Sequence, residues 1–474
     1  MKCTWGALGF ALLMGPAHSE SLSLSTFLQQ SSKKDLVVER AQLELETAEQ
    51  NFHQARGRFE TLLTATPNLQ WKMQELLTQE ERGRYFGVSS KIEQNAGWGF
   101  GLEFSAHRLM PWGPESKKDL PVSSYNFGFR KSLIQNLLGR TENRVIAQAQ
   151  AVLDAARLNF ESKTLEQCRE NAQIFIEAWL AQENSRVLAE IGRDAQSVEK
   201  QLQRNLRQRL VREIDYLGSQ ADASQKISYA FAAEQKLRQQ IIKLQSQVQQ
   251  ALPEGVYLEE PRMLSLSSVS SFDDELKTAK LLMAESPMIQ ARRKLVEAAQ
   301  LDTEIASLKH FPDLSFTLGR AWQSEKFASE SSFVPRQVQE THVGLELRWK
   351  LFDRSRSADK IRARIETQAQ SSFFVSEMRS LLSEVEQTLV VKETIIQRLS
   401  EFSKRSELYE RQLVLAQRDL KSGRLEFETY IAYRDRFLND KLQSLELRQD
   451  AYLTSLFFYS LNKELLNFCG AQNL

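Results

Sequence analysis

Proline and glycine are missing where a globular chain of this length would need them. The ten prolines all precede residue 336, and between Asp353 and Leu474 the only glycines are Gly423 and Gly470. A stretch so poor in breakers excludes a succession of short elements and leaves room for very long helices. Cysteine is also scarce: Cys3, Cys168 and Cys469 make up the whole set, which excludes a disulfide-built scaffold and a multi-cysteine zinc site. Five histidines, none spaced as a metal pair with nearby carboxylates, give no support to metal catalysis. There is no Gly-x-Ser-x-Gly, no phosphate-binding glycine loop and no Cys-x-x-Cys, so the chain is not read as an enzyme and no cofactor is expected. Charge of one sign is lacking too. With 62 Lys and Arg against 61 Asp and Glu, the net charge is +1 and nothing points to nucleic acid. No segment reaches 18 consecutive apolar residues, so a transmembrane helix is not expected.

What is present begins with a secretory signal. Met1-Lys2 supplies a charge, Trp5 to Met14 a short apolar run and Ala17-His18-Ser19 a small-residue cleavage site, so residues 1–19 read as a signal peptide. In the exported chain Cys168 and Cys469 remain. A disulfide between them is open, but the expectation favours two small buried hydrophobic side chains.

The last third carries apolar residues at three- and four-residue steps: Phe374, Met378, Leu381, Val385, Leu389, Ile396, Leu399 and Phe402. That is the seam of one amphipathic helix, roughly 100 Å long at 1.5 Å per residue. Lys421-Ser422-Gly423 reads as its turn. A second helix returns with Phe427, Ile431, Phe437, Leu442, Leu445, Tyr452, Leu456 and Leu461 inward.

The second half repeats the first. At an offset of 214, Leu137-Leu138-Gly139-Arg140-Thr141 falls on Leu351-Phe352-Asp353-Arg354-Ser355, Arg209 on Gly423 and Tyr216 on Tyr430. Upstream, Pro67-Asn68-Leu69 matches Pro312-Asp313-Leu314 at an offset of 245, so the first copy holds 31 additional residues between these anchors. Each copy reads helix, strand region, long helix, turn, helix. The expected segments are a helix over 20–66, a β-region over 67–138, a helical hairpin over 139–252 and a linker over 253–285. The second copy follows with a helix over 286–311, a β-region over 312–352 and a hairpin over 353–474. The seam of the first long helix, Leu188, Ile191, Ala195, Val198 and Leu202, has coiled-coil spacing.

The strand regions alternate. Val343, Leu345, Leu347, Trp349 and Leu351 share one face of a strand, and His342, Gly344, Glu346, Arg348 and Lys350 the other. Gly97 to His107 alternates in the same way, and Leu314, Phe316 and Leu318, like Phe127 and Phe129, mark further strands. Such strands fit a transmembrane barrel, apolar toward lipid and polar toward a lumen that Glu346, Arg348 and Lys350 would line. A half-buried antiparallel sheet shows the same period. The signal peptide and the lack of a domain-sized core around the strands favour the barrel. A few strands cannot close one alone, so several chains must assemble. In the first β-region, strands near 97–107 and 123–131 would flank the loop 110–121. An added hairpin from 69–76 and 85–92 is the alternative.

The fold class expected is thus an internally duplicated α+β membrane protein, with coiled-coil helices forming an α-helical barrel and strands contributed to a shared β-barrel. At this point the sequence resembles the TolC-type outer membrane efflux proteins. The residues are Leu347-Arg-Trp-Lys-Leu-Phe-Asp353, Lys421-Ser-Gly-Arg-Leu-Glu-Phe-Glu-Thr-Tyr-Ile431, Ser286-Pro-Met-Ile-Gln-Ala291, His310-Phe-Pro-Asp-Leu-Ser-Phe316 and Gln135-Asn-Leu-Leu-Gly-Arg-Thr-Glu-Asn-Arg144. The resemblance implies a homotrimer in the outer membrane of a Gram-negative bacterium, each chain giving four strands to a twelve-stranded barrel in lipid. It implies a passive exit duct for drug efflux or type I secretion, with a periplasmic adaptor and an inner-membrane transporter as partners. A periplasmic coiled-coil adaptor or scaffold is the alternative function. The resemblance also implies a gate at the two hairpin turns, Arg209 and Gly423. Its acidic partner in the first copy falls on Asp215 and its basic partner in the second on Leu425, beside Arg424. The ring aspartates fall on Thr429 and Ala432, and the gate tyrosine on Leu420. Glu426 and Glu428 are candidates for the missing negative charge, and Arg212 or Arg424 for a pair across the turn.

Overall fold

The computed structural model describes residues 21–32, 35–76, 79–96, 99–111, 122–249, 252–253, 255–262, 272–329, 332–349, 354–422 and 424–469. The signal segment, the loop 112–121, Lys350 to Asp353 and Gly423 lie outside the described residues. The described chain divides into two units, one holding residues 42–159 and 287–379, the other the remaining helices.

The first unit is built on a sheet. Its strands are β2 (Thr61–Leu76), β3 (Gln79–Ala96), β4 (Phe100–Pro111), β5 (Val122–Ser132), β7 (Asp313–Ser329) and β8 (Ser332–Arg348). They follow one another in the order β2-β3-β4-β5-β7-β8, antiparallel throughout. The register stacks apolar residues across the whole width: Leu63 faces Ile92, Ile92 faces Phe104, and Phe104 faces Phe127. Phe129 then faces Leu318, and Leu318 faces Val343. Because side chains alternate along a strand, these residues share one face, and that face is exposed: Leu63 is 66 % and Leu345 69 % accessible. The opposite face carries Thr64, Ser89, Glu103, Asn126, Thr317 and Glu346, with Lys91 paired to Glu93 and Glu103, and Arg348 to Glu346 at 2.7 Å. Gly99, at φ +75°, makes the β3–β4 turn, where a side chain would strike the Asn136 carbonyl.

Helix α2 (Leu36–Arg56) runs into β2, and α6 (Pro287–Lys309) into β7. After β5 comes α3 (Arg140–Arg207), and after β8 comes α7 (Arg354–Lys421). Within this unit a bidentate pair at 2.8 Å from Arg292 to Glu377 and a Thr303–Thr367 hydrogen bond at 2.9 Å tie α6 to α7.

Three expectations change here. The helix over 20–66 is instead α1 (Leu24–Ser31) and α2, and the chain is already a strand at Thr61. Phe59 and Leu62 satisfy a helical step, but Thr64 and Thr66 alternate with Leu63 and Ala65, and β-branched residues favour the pleated backbone. The expected four strands are six, because the two alternative hairpins of the first β-region both form. The match of Pro67 to Pro312 also fails as a structural equivalence, since Pro67 lies inside strand β2 opposite Val88, whereas Pro312 precedes the first residue of β7.

The second unit holds most of α3 and α7 together with α4 (Glu213–Val248), α5 (Phe272–Glu285), α8 (Phe427–Leu461) and α9 (Glu464–Phe468). Phe27, Phe175, Trp179, Leu244 and Leu456 fill its largest apolar cluster. The strands β1 (Ser21–Leu22) and β6 (Tyr257–Leu258) pair in parallel, and Lys392 of α7 reaches Glu275 of α5 at 2.9 Å. None of the described helices is long and apolar enough to cross a membrane.

Cys168 of α3 and Cys469, just past α9, are joined as a disulfide with Cα atoms 6.5 Å apart. This overturns the expectation of two independent buried thiols: both side chains are buried, but against each other. The bond closes a loop of 301 residues, for which loop-closure entropy gives a stabilisation on the order of 5 kcal/mol. Mass analysis of the unreduced protein is expected to find the peptide containing Cys168 linked to that containing Cys469, and reduction to lower the melting temperature of the helical unit.

Candidate functional site at the hairpin ends

Both hairpins end in the same backbone device. At the end of α3 the Gln208 amide donates to the Arg204 carbonyl and the Leu210 amide to the Asn205 carbonyl at 2.9 Å. At the end of α7 the Ser422 amide donates to the Arg418 carbonyl and the Arg424 amide to the Asp419 carbonyl at 2.9 Å. Every one of these residues is displaced by 214 from its counterpart. The cap residues of the return helices match as well, Arg212 at φ −71°, ψ 148° and Glu426 at φ −72°, ψ 147°. The Arg209 amide also donates to the Leu206 carbonyl, which completes a Schellman turn. That turn needs a left-handed residue, and Arg209 supplies it at φ 62°. Its counterpart, Gly423, lies outside the described residues.

Beneath the turns lies an apolar cluster of Val198, Leu202, Ala416, Leu420, Phe427 and Tyr430, with Leu425 and Val211 packed on it. Leu420 and Leu425, the positions of the gate tyrosine and basic partner, are therefore part of an oily plug. Arg212 does not reach across to the second hairpin. It grips Asp215 one turn along, at 3.0 and 2.9 Å. Asp215, then Glu426 and Glu428, raise the Arg212 guanidinium above its ordinary pKa, which places the two exposed glutamates within its field. Arg424 donates to the Ser422 hydroxyl at 3.1 Å. Glu346 and Arg348 share the polar face of the sheet, and Lys350 lies outside the described residues.

The polar link between the two copies is elsewhere, deeper along the helices. Arg434 of α8 is wholly buried and makes a bidentate pair with Asp222 of α4, at 2.8 and 2.7 Å. Its neighbour Asp435 accepts from Lys226 of α4 at 2.8 Å. One turn toward the tip, the Tyr430 hydroxyl donates to Asp194 of α3 at 2.5 Å, and the other Asp194 oxygen accepts from Gln417 of α7 at 2.9 Å. Four helices are thus joined through a set of side chains in which Arg434 and Tyr430 are wholly buried, where a charge-assisted hydrogen bond is stronger than at the surface. Burial, then the Asp194 carboxylate, push the Tyr430 phenol far above its ordinary value, so it remains a donor at every physiological pH.

Tyr430 enters the sequence reading only as a repeat and motif position, and Asp194, Asp222, Lys226, Gln417, Arg434 and Asp435 are absent from it, although a signal existed. Stepping 3-4-4 from Phe427 gives Tyr430, Arg434 and Leu438, all buried. An arginine filling a seam position between a tyrosine and a leucine needs a carboxylate opposite it.

Removing one member of a buried pair leaves the other uncompensated, at a cost of about 3–5 kcal/mol. Asp222→Ala is expected to lower the denaturant midpoint accordingly, while Tyr430→Phe, losing one charge-assisted bond, costs about 1.5–3 kcal/mol. The phenol has a raised folded-state pKa, so its contribution is complete below its unfolded value of 10.0 and fades as pH climbs beyond it. Alkaline melts are expected to show a shallower decline above that pH in Tyr430→Phe than in wild type.

Residues 278–455 match the family model described as outer membrane efflux protein. No curated protein sequence matches the chain. Among solved structures, the outer membrane protein VceC from Vibrio cholerae superposes with a TM-score of 0.67 at 14 % identity, covering 93 % of this chain and 96 % of that one. The Neisseria gonorrhoeae MtrE outer membrane channel, in an open state, gives 0.62 at 16 % identity, with 93 % and 88 % covered. The Campylobacter jejuni CmeC outer membrane channel gives 0.65 at 12 %, with 93 % and 85 % covered. The second copy of the repeat thus carries the outer membrane efflux protein sequence pattern, and the chain as a whole has the fold of the TolC-type channels.

Proposed function

We propose that the chain is the outer-membrane exit channel of an export system, working as a homotrimer. The observation that carries this reading is a sheet whose apolar face is exposed across its full width while its other face is polar and charged. An exposed apolar face that broad has no place in water, and in lipid it needs a closed barrel, because unpaired strand edges are not tolerated there. Two long hairpins in the same chain supply the walls of a helical tunnel, and Glu346 and Arg348 face the lumen of the barrel.

The channel is passive. Cargo, whether drug or secreted protein, is delivered by an inner-membrane transporter through a periplasmic adaptor that engages the hairpin ends. The tunnel closes at those ends. Leu420, Leu425 and Phe427 hold the second hairpin against the first, and the Arg434–Asp222 and Tyr430–Asp194 links keep the four helices in register. Glu426 and Glu428, exposed at the start of α8, set a negative ring around the opening.

Fractionation is the first test. A heat-sensitive oligomer extracted from outer membranes only by detergent is expected, whereas release in a soluble periplasmic wash would identify an adaptor or scaffold instead. In planar bilayers the purified oligomer is expected to show small cation-selective conductance that divalent cations block. The Glu426→Gln, Glu428→Gln double variant should lose that block; retention of wild-type block would remove the two glutamates from the gate.

A further inference from the structure

We infer that three copies of this chain close a barrel of eighteen strands, with β2 of one copy pairing with β8 of the next. This rests on the channel reading above and fixes the seam and calibre of its membrane section.

The argument starts from connectivity. In each copy of the repeat a helix runs into the first strand and the last strand runs into a long helix: α2 into β2 and β5 into α3, then α6 into β7 and β8 into α7. An even number of strands between helices returns the chain to the side it left, and both copies obey this, the first with four strands and the second with two. The hairpin β2–β3 is thus an addition that the connectivity absorbs without displacing a helix. It either belongs to the barrel wall or lies outside it as a flap.

Three observations place it in the wall. The ladder is unbroken: β2 pairs with β3 from Thr61 to Leu76, and β3 with β4 from Tyr85 to Pro111. The apolar face also continues onto the hairpin, through Leu63, Ala65 and Leu69 on β2 and Phe86, Val88 and Ile92 on β3, while Thr64, Thr66, Ser89 and Lys91 lie on the polar face. A flap in water would have no use for a row of exposed leucines, and a strand in lipid requires one. Finally, β2 has 16 residues, more than the roughly 9–11 a tilted strand needs to cross a bilayer.

The two edges are complementary. Strand directions alternate from β2 to β8, so β8 runs opposite to β2 and the seam between copies is antiparallel like every other pair in the sheet. Closure at that seam satisfies the last open edges and brings Leu63, Ala65 and Leu69 beside Val343, Leu345 and Leu347 on the lipid face. Barrel diameter grows nearly in proportion to strand number, so eighteen strands give a bore about 1.5 times that of twelve. The β-section then admits bulkier cargo than a twelve-stranded mouth, and selection by size falls to the helical ends.

Cysteine cross-linking tests the seam. Cys168 and Cys469 are already paired to each other, so introduced thiols report cleanly. Each of Leu63→Cys, Ala65→Cys and Leu69→Cys is combined with each of Val343→Cys, Leu345→Cys and Leu347→Cys, oxidised in outer membranes, and run without reductant. At least one combination is expected to give covalent trimers, while Leu102→Cys or Phe104→Cys on β4 combined with the same β8 positions gives none. Cross-linking from β4, or an intact membrane oligomer that no β2–β8 pair cross-links, would overturn the eighteen-stranded barrel and leave the channel standing. Monomeric protein in a periplasmic wash would defeat the channel and the barrel together. Electron microscopy of the purified trimer should show the wider ring directly.

Discussion

A backbone amide or carbonyl that finds no partner away from water costs several kcal/mol, and this requirement shapes every part of the molecule. Inside the long helices it is met locally, residue by residue. At the hairpin ends the last carbonyls are met by amides turned back through a left-handed residue, in the same pattern twice. In the sheet it is met sideways, strand to strand, until the ladder runs out at β2 and β8. Those two edges are left without a ladder partner within the described chain.

The two copies of the repeat are equal as backbones and unequal as chemistry. Arg212 and Glu426 cap their helices with nearly the same dihedral angles, yet one is a cation held by Asp215 and the other an exposed carboxylate. Tyr216 and Tyr430 also correspond, but Tyr430 is wholly buried against Asp194 while Tyr216 lies at the end of a 3.5 Å contact from Gln203. Duplication supplied the frame, and divergence set Asp194 and Asp222 of the first hairpin against Tyr430 and Arg434 of the second, with Lys226 and Asp435 paired in the opposite sense.

The repeat, the long helices and the alternating strands were legible in the sequence because each is a periodicity, and periodicity survives without knowledge of the partner. The start of β2 was not, since Phe59, Leu62 and their neighbours satisfy steps of both two and nearly four residues and only the sheet decides between them. The number of strands in the first β-region was undecidable for a related reason: each alternative hairpin was sound, and nothing local forbade both. The buried links failed differently. Asp194, Asp222 and Lys226 look like any solvated helix charges until α7 and α8 are laid against them. Only Arg434, standing in an apolar seam, betrayed its setting.

Cys168 and Cys469 carry a consequence for how the molecule is made. Their bond joins a residue from the first half of the chain to one a few positions from its end. A polypeptide made from its amino end presents the first of these thiols long before the second. The bond therefore forms only once the chain is nearly complete. A product truncated before Cys469 lacks this bond altogether.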